Sequence, residues 1–217
     1  MKKVVITGCV SGIGRATADL FRERGDSVQE LNLPDFDVRK LDIITGYTPD
    51  EPLDVFVNNA GIMSLTDYEN SDISDWQNTI DTNLRAPYFL FQRVIPHIKD
   101  GGSLIVVCST SSVYPEESMV VYSVAKAGLL SLTKSMARRY GHRIRVNAVL
   151  PGFVDTKIVP EPPPQRMIDN IPLKRMASAK EIAEVIWFLT QHEYMNGASI
   201  VCDGGLLARF DGPKGLE

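Results

Sequence analysis

The chain has 217 residues, of which 44% are apolar and 23% are charged, which predicts one compact domain and excludes a disulfide-stapled mini-protein and a disordered chain. The formal net charge is −4, from 23 Lys and Arg against 27 Asp and Glu, so no broad basic surface is expected for duplex DNA or an anionic membrane. Apolar runs fall far short of the roughly 20 residues of a membrane span. Three scattered cysteines, Cys9, Cys108 and Cys202, favour a reducing cytoplasm and have no zinc-site spacing.

Short apolar runs alternate with helical patterns along nearly the whole chain, which predicts βαβ units and a parallel sheet covered on both faces. In chain order the predicted elements are a strand at 3–7, a helix at 12–24, strands at 27–33 and 53–58, a helix at 74–97, a strand at 102–108, a helix at 122–140, a strand at 143–150, a helix at 178–189 and a strand at 198–202. Ser74 with Gln77, and Ser178 with Glu181, have the form of capping boxes. The fold class is therefore α/β, a three-layer doubly wound sheet of the Rossmann type, in one domain over residues 1–217.

A glycine-rich segment, residues 7–14, follows the first strand and begins the first helix. In that context glycines let the backbone approach a pyrophosphate on the helix N-terminus, although a glycine-rich turn by itself is often only a turn. Residues 58–61, Asn-Asn-Ala-Gly, end a central strand, and ligands of open α/β sheets lie outside the carboxyl ends of strands. The sequence thus predicts a dinucleotide site formed by Gly8, Ser11, Gly12, Ile13, Gly14, Asn59, Ala60 and Gly61.

A second group of residues suits proton transfer. Tyr122 and Lys126 are four residues apart at the start of a helical segment, so their side chains lie on one helix face. A free phenol titrates near pH ~10, and a phenol that exchanges protons near neutrality needs a cation beside it. An isolated pair of this kind is usually a surface Tyr and Lys, but here Ser109 ends the preceding strand at the same edge of the sheet, with Ser111 and Ser112 as rival candidates.

Seven motifs occur in a fixed order along almost the entire chain: residues 7–14, 58–61, 81–84 (Asp-Thr-Asn-Leu), Ser109, 122–126 (Tyr-Ser-Val-Ala-Lys), 147–152 (Asn-Ala-Val-Leu-Pro-Gly) and 201–205 (Val-Cys-Asp-Gly-Gly). With these motifs the sequence resembles the short-chain dehydrogenase/reductase family, typified by 3-oxoacyl carrier-protein reductases and hydroxysteroid dehydrogenases. The resemblance implies an oxidoreductase that transfers hydride between a nicotinamide cofactor and a ketone or secondary alcohol.

The resemblance also implies roles for individual residues. Tyr122 would be the general acid/base, and Ser109, which the family's serine-to-tyrosine separation selects over its rivals, would orient the substrate oxygen. Lys126 would bind the nicotinamide ribose, and Asn83 would hold a water that links Lys126 to solvent. A further cofactor loop would comprise Pro151, Gly152, Val154 and Thr156, the last contacting the nicotinamide carboxamide.

Cofactor choice depends on the end of the second strand, where many NAD-dependent members carry Asp and NADP-dependent members carry basic residues for the 2′-phosphate. Asn32 stands at that position, and Ser11 stands where NADP users often carry Arg or Lys. Arg15, common in both classes, is the remaining cation nearby, so we expect NAD(H) to be favoured over NADP(H). Asp37 and Val38 resemble the pair that borders the adenine, with an ordinary surface loop as the alternative.

The expected partner is a small carbonyl or alcohol substrate, with Tyr114 and Phe153 in an apolar pocket wall. Residues 156–173, which include the proline-rich tract 160–164, are predicted to be a substrate lid or a stiff surface loop. Family members commonly form homodimers or homotetramers through the helices that hold Asn83 and Tyr122. Residues suited either to such an interface or to the core are Phe89, Phe91, Leu130, Leu132 and Met136.

The chain is short for this family, and the shortfall lies between Asn32 and Leu53, where the usual helix after the second strand is missing from the pattern. In the family that segment borders the adenosine half of the cofactor. The rival function is a cofactor-binding sensor or scaffold with weak catalysis, and the complete set of Ser109, Tyr122 and Lys126 argues against it.

Overall fold

The computed structural model describes residues 1–156, 158 and 163–208. Its strands are β1 (Lys3–Thr7), β2 (Ser27–Leu31), β3 (Leu53–Asn58), β4 (Ile98–Val107), β5 (Arg145–Pro151), β6 (Val154–Asp155), β7 (Ala177–Ser178) and β8 (Ser199–Cys202). Six of them form a parallel sheet in the order β2-β1-β3-β4-β5-β8, and β6 pairs with β7.

Helices cover both faces of this sheet: α1 (Gly12–Glu23), α2 (Leu41–Gly46), α3 (Ile73–Ile80), α4 (Ala86–Val94), α5 (Val120–Tyr140), α6 (Gln165–Asp169) and α7 (Ala179–Gln191). Because side chains alternate along a strand, Val4 and Ile6 of β1 pack on one face with Phe21 of α1, while Val5 packs on the other with Leu90 of α4. The structure confirms the predicted three-layer, doubly wound α/β fold.

The order of the strands places a crevice at one end of the sheet. From β1 the chain crosses to β2 on one side and then continues to β3 on the other side of β1. In open α/β sheets ligands bind outside the carboxyl ends of the strands where this change of direction occurs. The ends of β1 and β3, at Thr7 and Asn58, are therefore the expected walls of a site.

The segment between β2 and β3 is shortened, as predicted. Among the described residues it holds one helix, the six-residue α2, and β2 is an edge strand, whereas a common order for this fold has a further strand outside the second. Two arginines tie the short segment to the rest of the fold. Arg85 donates to the Arg39 carbonyl at 3.0 Å, and Arg93 donates to the Tyr47 carbonyl at 3.0 Å.

One predicted helix cap is wrong and the other is confirmed. Helix α3 is capped by Asp72, whose carboxylate accepts the Asp75 N–H at 2.8 Å, so Ser74 lies inside the first turn and cannot cap it. At α7 the predicted box is present, because the Ser178 hydroxyl accepts the Glu181 N–H and the Glu181 carboxylate accepts the Ser178 N–H. The single helix predicted at 74–97 is α3, a π-helical turn, α4 and a 3-10 turn in succession.

The predicted lid, residues 156–173, falls partly outside the described residues, which omit 157 and 159–162. Its described part includes α6, and the prediction of a lid stays a prediction. No helix within the described ranges combines the length and apolarity needed to cross a bilayer.

A buried arginine joins the sheet to the end of α7. Arg145 on β5 donates to the carbonyls of Leu189 at 2.8 Å, His192 at 3.0 Å and Thr190 at 3.2 Å, and to the Ser103 hydroxyl at 2.5 Å. The last carbonyls of a helix have no partner within the helix. Arg145 therefore supplies donors that a buried helix end needs.

We expect Arg145→Met to lower the free energy of unfolding by about 2–4 kcal/mol, because several buried carbonyls lose their donor. Urea denaturation followed by circular dichroism measures the change. The matched control is Arg138→Met on the exposed side of α5, which should change stability by less than about 0.5 kcal/mol. Equal stabilities of the two variants would contradict this role for Arg145.

Candidate active site

Hydrogen bonds join the end of β1 to the end of β3. The Thr7 hydroxyl oxygen accepts the N–H groups of Asn59 at 3.0 Å and Ala60 at 2.9 Å. In return the Asn59 side-chain amide donates to the carbonyls of Thr7 at 3.1 Å and Gly8 at 2.8 Å. Asn59 thus does more than end a strand, because its side chain holds the start of the glycine-rich loop against the end of β3.

The glycine-rich loop forms a cradle that side chains would fill. Gly8 and Gly12 have left-handed φ values of +72° and +57°. A Cβ at Gly8 would lie 2.9 Å from the Ala60 Cα, and a Cβ at Gly14 would overlap the Gly8 carbonyl. Glycine is therefore required at these positions by backbone conformation and by close packing.

The start of α1 has the properties of a phosphate site. Its N-cap, Ser11, makes no side-chain capping bond and the first turn contains no acidic residue, within the part of the chain that the structure describes. Ile13 packs against the core beneath the loop. Free N–H groups and the positive end of the helix dipole attract an anion. The residues present fit the pyrophosphate of a dinucleotide.

The predicted loop after β5 returns to the same cradle. Pro151 is the last residue of β5, and the Gly152 N–H donates to the carbonyl at the end of β8 at 3.0 Å. Val154 begins β6, and Thr156 then reaches the glycine-rich loop, where its Cγ2 lies 3.0 Å from the position of a Cβ on Gly12. The structure therefore brings Thr156 to the predicted cofactor site.

Asn83 lies in the π-helical turn, Asp81–Arg85, and is fully buried. Its side-chain oxygen accepts the Ile62 N–H at 3.3 Å, and its amide nitrogen donates to the carbonyls of Ile62 and Thr79, both at 3.0 Å. Single π-helical turns inside helices are frequent at functional sites. Here the turn directs Asn83 onto the backbone that follows Gly61.

Tyr122 and Lys126 lie one turn apart near the start of α5, and both are buried. The Lys126 ammonium donates to the Val107 carbonyl at 3.1 Å and lies 5.7 Å from the centroid of the Tyr122 ring. A Cβ on Gly61 would be 3.5 Å from Lys126 Nζ and 2.8 Å from Asn83 Oδ1. The structure thus brings Lys126, Asn83 and the end of residues 58–61 together beside Tyr122.

Ser109 and its two rivals form one hydroxyl network after β4. The Ser109 hydroxyl donates to the Ser111 hydroxyl at 3.2 Å and accepts the Ser111 N–H at 3.1 Å. The Ser112 hydroxyl accepts the Ser109 N–H at 3.3 Å. Ser111 and Ser112 therefore hold Ser109 in place.

Burial raises the pKa of the adjacent Cys108 thiol to about 11, which leaves it protonated.

Both polar atoms of the Asn32 side-chain amide make hydrogen bonds. Its oxygen accepts the Cys9 N–H at 2.5 Å, and its nitrogen donates to the Glu30 carboxylate at 2.8 Å. The glycine-rich loop is thereby attached to β2 as well as to β3. Asn32 lies where the adenosine ribose was predicted to bind, but its orientation is set by these two partners.

Asp37 is buried in the short segment after β2, and its carboxylate is turned to Arg39. Side-chain hydrogen bonds from Arg39, at 2.8 and 3.0 Å, hold the pKa of Asp37 at about 2. Val38 packs against the core. Asp37 and Val38 are therefore packed against the fold and do not belong to an exposed surface loop.

The predicted substrate wall is only partly enclosed. Tyr114 is 62% exposed, and Phe153 is half-buried with its carbonyl accepting the Ala177 N–H. Their contact with a substrate stays a prediction.

Comparison with known proteins agrees with this geometry. The family model described as enoyl-(acyl carrier protein) reductase matches residues 48–207. The 3-oxoacyl-(acyl-carrier-protein) reductase FabG of Thermotoga maritima is 32% identical, over 95% of this chain and 98% of that protein. The chain belongs to the short-chain dehydrogenase/reductase family. As a member of this family it is a nicotinamide-dependent oxidoreductase that acts on carbonyl or alcohol groups.

Two dehydrogenases show the range of proteins that the chain is similar to. Trans-4-hydroxycyclohexanecarboxylate dehydrogenase of Sinomonas cyclohexanicum is 37% identical over 157 residues, which are 70% of this chain and 60% of that protein. The ligand-free structure of Thermoplasma acidophilum aldohexose dehydrogenase superposes with a TM-score of 0.88, at 27% identity, over 98% of this chain and 96% of that one.

Sequence reasoning missed the cluster around Glu30. Glu30 accepts from Arg22 at 2.7 Å, from Arg15 at 3.3 Å and from Asn32 at 2.8 Å. A signal was present, because Glu30 and Asn32 share one side of an extended strand, and Arg15 and Arg22 are two helical turns apart on α1. That the two elements face each other depends on tertiary packing.

We expect Gly61→Ala to lower turnover by about 100-fold while the fold is kept, because the added methyl group would lie 2.8 Å from Asn83 Oδ1 and would displace the Asn83 side chain beside Lys126. Steady-state kinetics, with a thermal melt of each variant, measure the effect. Gly46→Ala at the end of α2 is the control, since a Cβ there meets open space. Unchanged turnover in Gly61→Ala would contradict the close packing of this site.

Proposed function

We propose that Tyr122 is the general acid/base with which this family member interconverts a ketone and a secondary alcohol. The observation that carries the proposal is the buried pair of Tyr122 and Lys126, with Asn83 and Gly61 beside the ammonium, at the carboxyl edge of the sheet. Burial of a lysine ammonium costs free energy unless the charge is stabilised by a hydrogen-bond acceptor or by an opposite charge. In this position the charge is used to stabilise a phenolate.

The residues proposed to hold the cofactor surround the crevice between β1 and β3. They are Gly8, Ser11, Gly12, Ile13, Gly14, Asn32, Asp37, Val38, Asn59, Ala60, Gly61, Tyr122, Lys126, Pro151, Gly152, Val154 and Thr156. When bound, a nicotinamide dinucleotide supplies or accepts the hydride. The glycine-rich loop and the start of α1 bind its pyrophosphate, and Lys126 binds ribose hydroxyls.

Proton transfer follows from the positions of the side chains. In reduction Tyr122 donates its hydroxyl proton to the substrate oxygen, and in oxidation it takes the proton back. Ser109 orients that oxygen through its hydroxyl, which Ser111 holds in place. Asn83 positions the Ile62 backbone next to Lys126, and we propose that the water linking Lys126 to solvent binds at this point.

NAD(H) is proposed as the preferred cofactor over NADP(H). The support is the charge at the end of β2, where Asn32 is neutral and is hydrogen-bonded to the Glu30 carboxylate. Arg15 and Arg22, the cations of this region on α1, both pair with Glu30. A 2′-hydroxyl suits this environment better than a 2′-phosphate.

The proposed substrate is a small ketone or secondary alcohol, contacted by Ser109, Tyr122, Tyr114 and Phe153. One relative is named for reduction of a 3-oxoacyl carrier protein and another for dehydrogenation of trans-4-hydroxycyclohexanecarboxylate. The substrates in these two names differ everywhere except at the reacting carbon. What these names share is the alcohol or ketone carbon, which is the level at which the substrate is proposed.

We expect Tyr122→Phe to lower turnover at least ~100-fold, since the general acid/base is lost while the ring remains. The assay follows consumption of NADH and of NADPH with ketones, diketones, quinones, 3-oxoacyl thioesters and steroids. Tyr140→Phe, at the far end of the same helix, is the control. Full activity of Tyr122→Phe would refute the assignment, and tight cofactor binding without any turnover would favour the sensor or scaffold.

A homodimer or homotetramer is proposed from an apolar groove between α4 and α5. The groove has a volume of about 420 Å³ and is lined by Ile80, Leu84, Arg85, Tyr88, Phe89, Gly128, Ser131 and Leu132. Phe89 and Leu132 were among the residues suited to an interface. Phe91 and Leu130 are instead buried in the core.

We expect the protein to sediment as a dimer or tetramer and Tyr88→Glu to shift it to a lower mass, because Tyr88 is 49% exposed beside the groove. Tyr194→Glu, which also replaces an exposed tyrosine, should leave the mass unchanged. Analytical ultracentrifugation measures both. A monomeric unsubstituted protein would contradict the proposal.

A cytoplasmic location is proposed from the cysteines. All three are free, and Cys9 and Cys108 are buried. Burial raises the pKa of the Cys9 thiol to about 12. Unpaired, protonated thiols are compatible with a reducing compartment.

A further inference from the structure

One carboxylate links helix α1 to the end of strand β2. Glu30 Oε1 accepts from Arg22 at 2.7 Å and from Arg15 at 3.3 Å, and Glu30 Oε2 accepts from Asn32 at 2.8 Å. The Glu30 side chain is 18% exposed, whereas those of Arg15 and Arg22 are 45% and 42% exposed. Glu30 is therefore the inner member of this group, which we call the Glu30 cluster.

The Glu30 cluster carries no excess positive charge. Burial raises the pKa of Glu30, but hydrogen bonds from Arg22 and Asn32 and the charges of Arg15 and Arg22 outweigh it, so the pKa lies below its usual value. Glu30 is thus ionised at neutral pH. Asp19 adds a second carboxylate, 3.9 Å from Arg15 and 3.6 Å from Arg22. Two carboxylates balance two guanidinium groups.

Glu30 also sets the orientation of Asn32. A carboxylate only accepts hydrogen bonds, so Asn32 must turn its amide nitrogen toward Glu30. The amide oxygen then faces the glycine-rich loop and accepts the Cys9 N–H at 2.5 Å. The reversed amide would bring two donors together at Cys9 and two acceptors together at Glu30.

We infer that Glu30 is the residue that selects a dinucleotide with a free 2′-hydroxyl on its adenosine ribose. In this fold the ribose-binding residue follows the glycine motif by about 20 residues, which is the position of Asn32. A phosphate beside Asn32 would find no net positive charge to bind, because Arg15 and Arg22 are already paired with Glu30 and Asp19. The inference rests on the proposed function and makes Glu30 a positioning residue that acts through Asn32 and the arginines.

The test is Glu30→Gln, which keeps an acceptor for Asn32 and removes the charge. Isothermal titration calorimetry of the full chain with NADH and with NADPH gives the two dissociation constants. We expect the affinity for NADPH to rise at least about tenfold relative to that for NADH, because Arg15 and Arg22 then share only Asp19 and carry a net positive charge that can bind phosphate. The matched control is Glu23→Gln, the same charge change at an exposed position of α1, which should leave the ratio unchanged.

An unchanged ratio in Glu30→Gln would overturn the inference, and so would an equal gain in Glu23→Gln, which would assign the effect to net charge. A thermal melt shows whether Glu30→Gln is folded. If it is not, the unsubstituted protein still decides, because equal affinities for NADH and NADPH would overturn the inference. Failure of the unsubstituted protein to bind either dinucleotide would instead overturn the proposed function.

Discussion

Thr7 and Asn59 exchange hydrogen bonds between β1 and β3, where the order of the strands reverses, and the rest of the site depends on these bonds. The Thr7 hydroxyl accepts two backbone N–H groups from the loop that follows β3, and the Asn59 side-chain amide donates to two carbonyls at the end of β1. A glycine-rich loop has many accessible conformations, so it needs such external partners to hold one. The fixed loop places the N-terminus of α1 at the crevice.

The half of the site around Tyr122 meets a related constraint, because most of its polar side chains are buried and need hydrogen-bond partners. Asn83 makes three hydrogen bonds to backbone groups. The Lys126 ammonium has three donors, and within the described residues one of them is given to Val107. The remaining donors suit ligand hydroxyls or water, so the same burial that orders Lys126 directs its charge toward Tyr122 and the proposed cofactor site.

The sequence predicted those parts of the fold and site that follow from local pattern. Short apolar runs predicted β1 and β3, glycine spacing predicted the loop, and the four-residue separation placed Tyr122 and Lys126 on one helix face. It could not predict that Asp72 and not Ser74 caps α3, since both residues are good caps and the choice depends on where the preceding loop ends. Nor could it predict the Glu30 cluster, whose members meet through packing of α1 on β2.

The shortened segment after β2 makes that strand an edge of the sheet, since the strands that the structure describes give it a neighbour on one side only. Its outer N–H and C=O groups face outward, so local opening of the sheet costs less there than in its centre. The adenosine end of the proposed cofactor site, at Asn32, directly follows this strand. A dinucleotide that binds only the closed strand at the proposed site would therefore add its binding free energy to the stability of this edge.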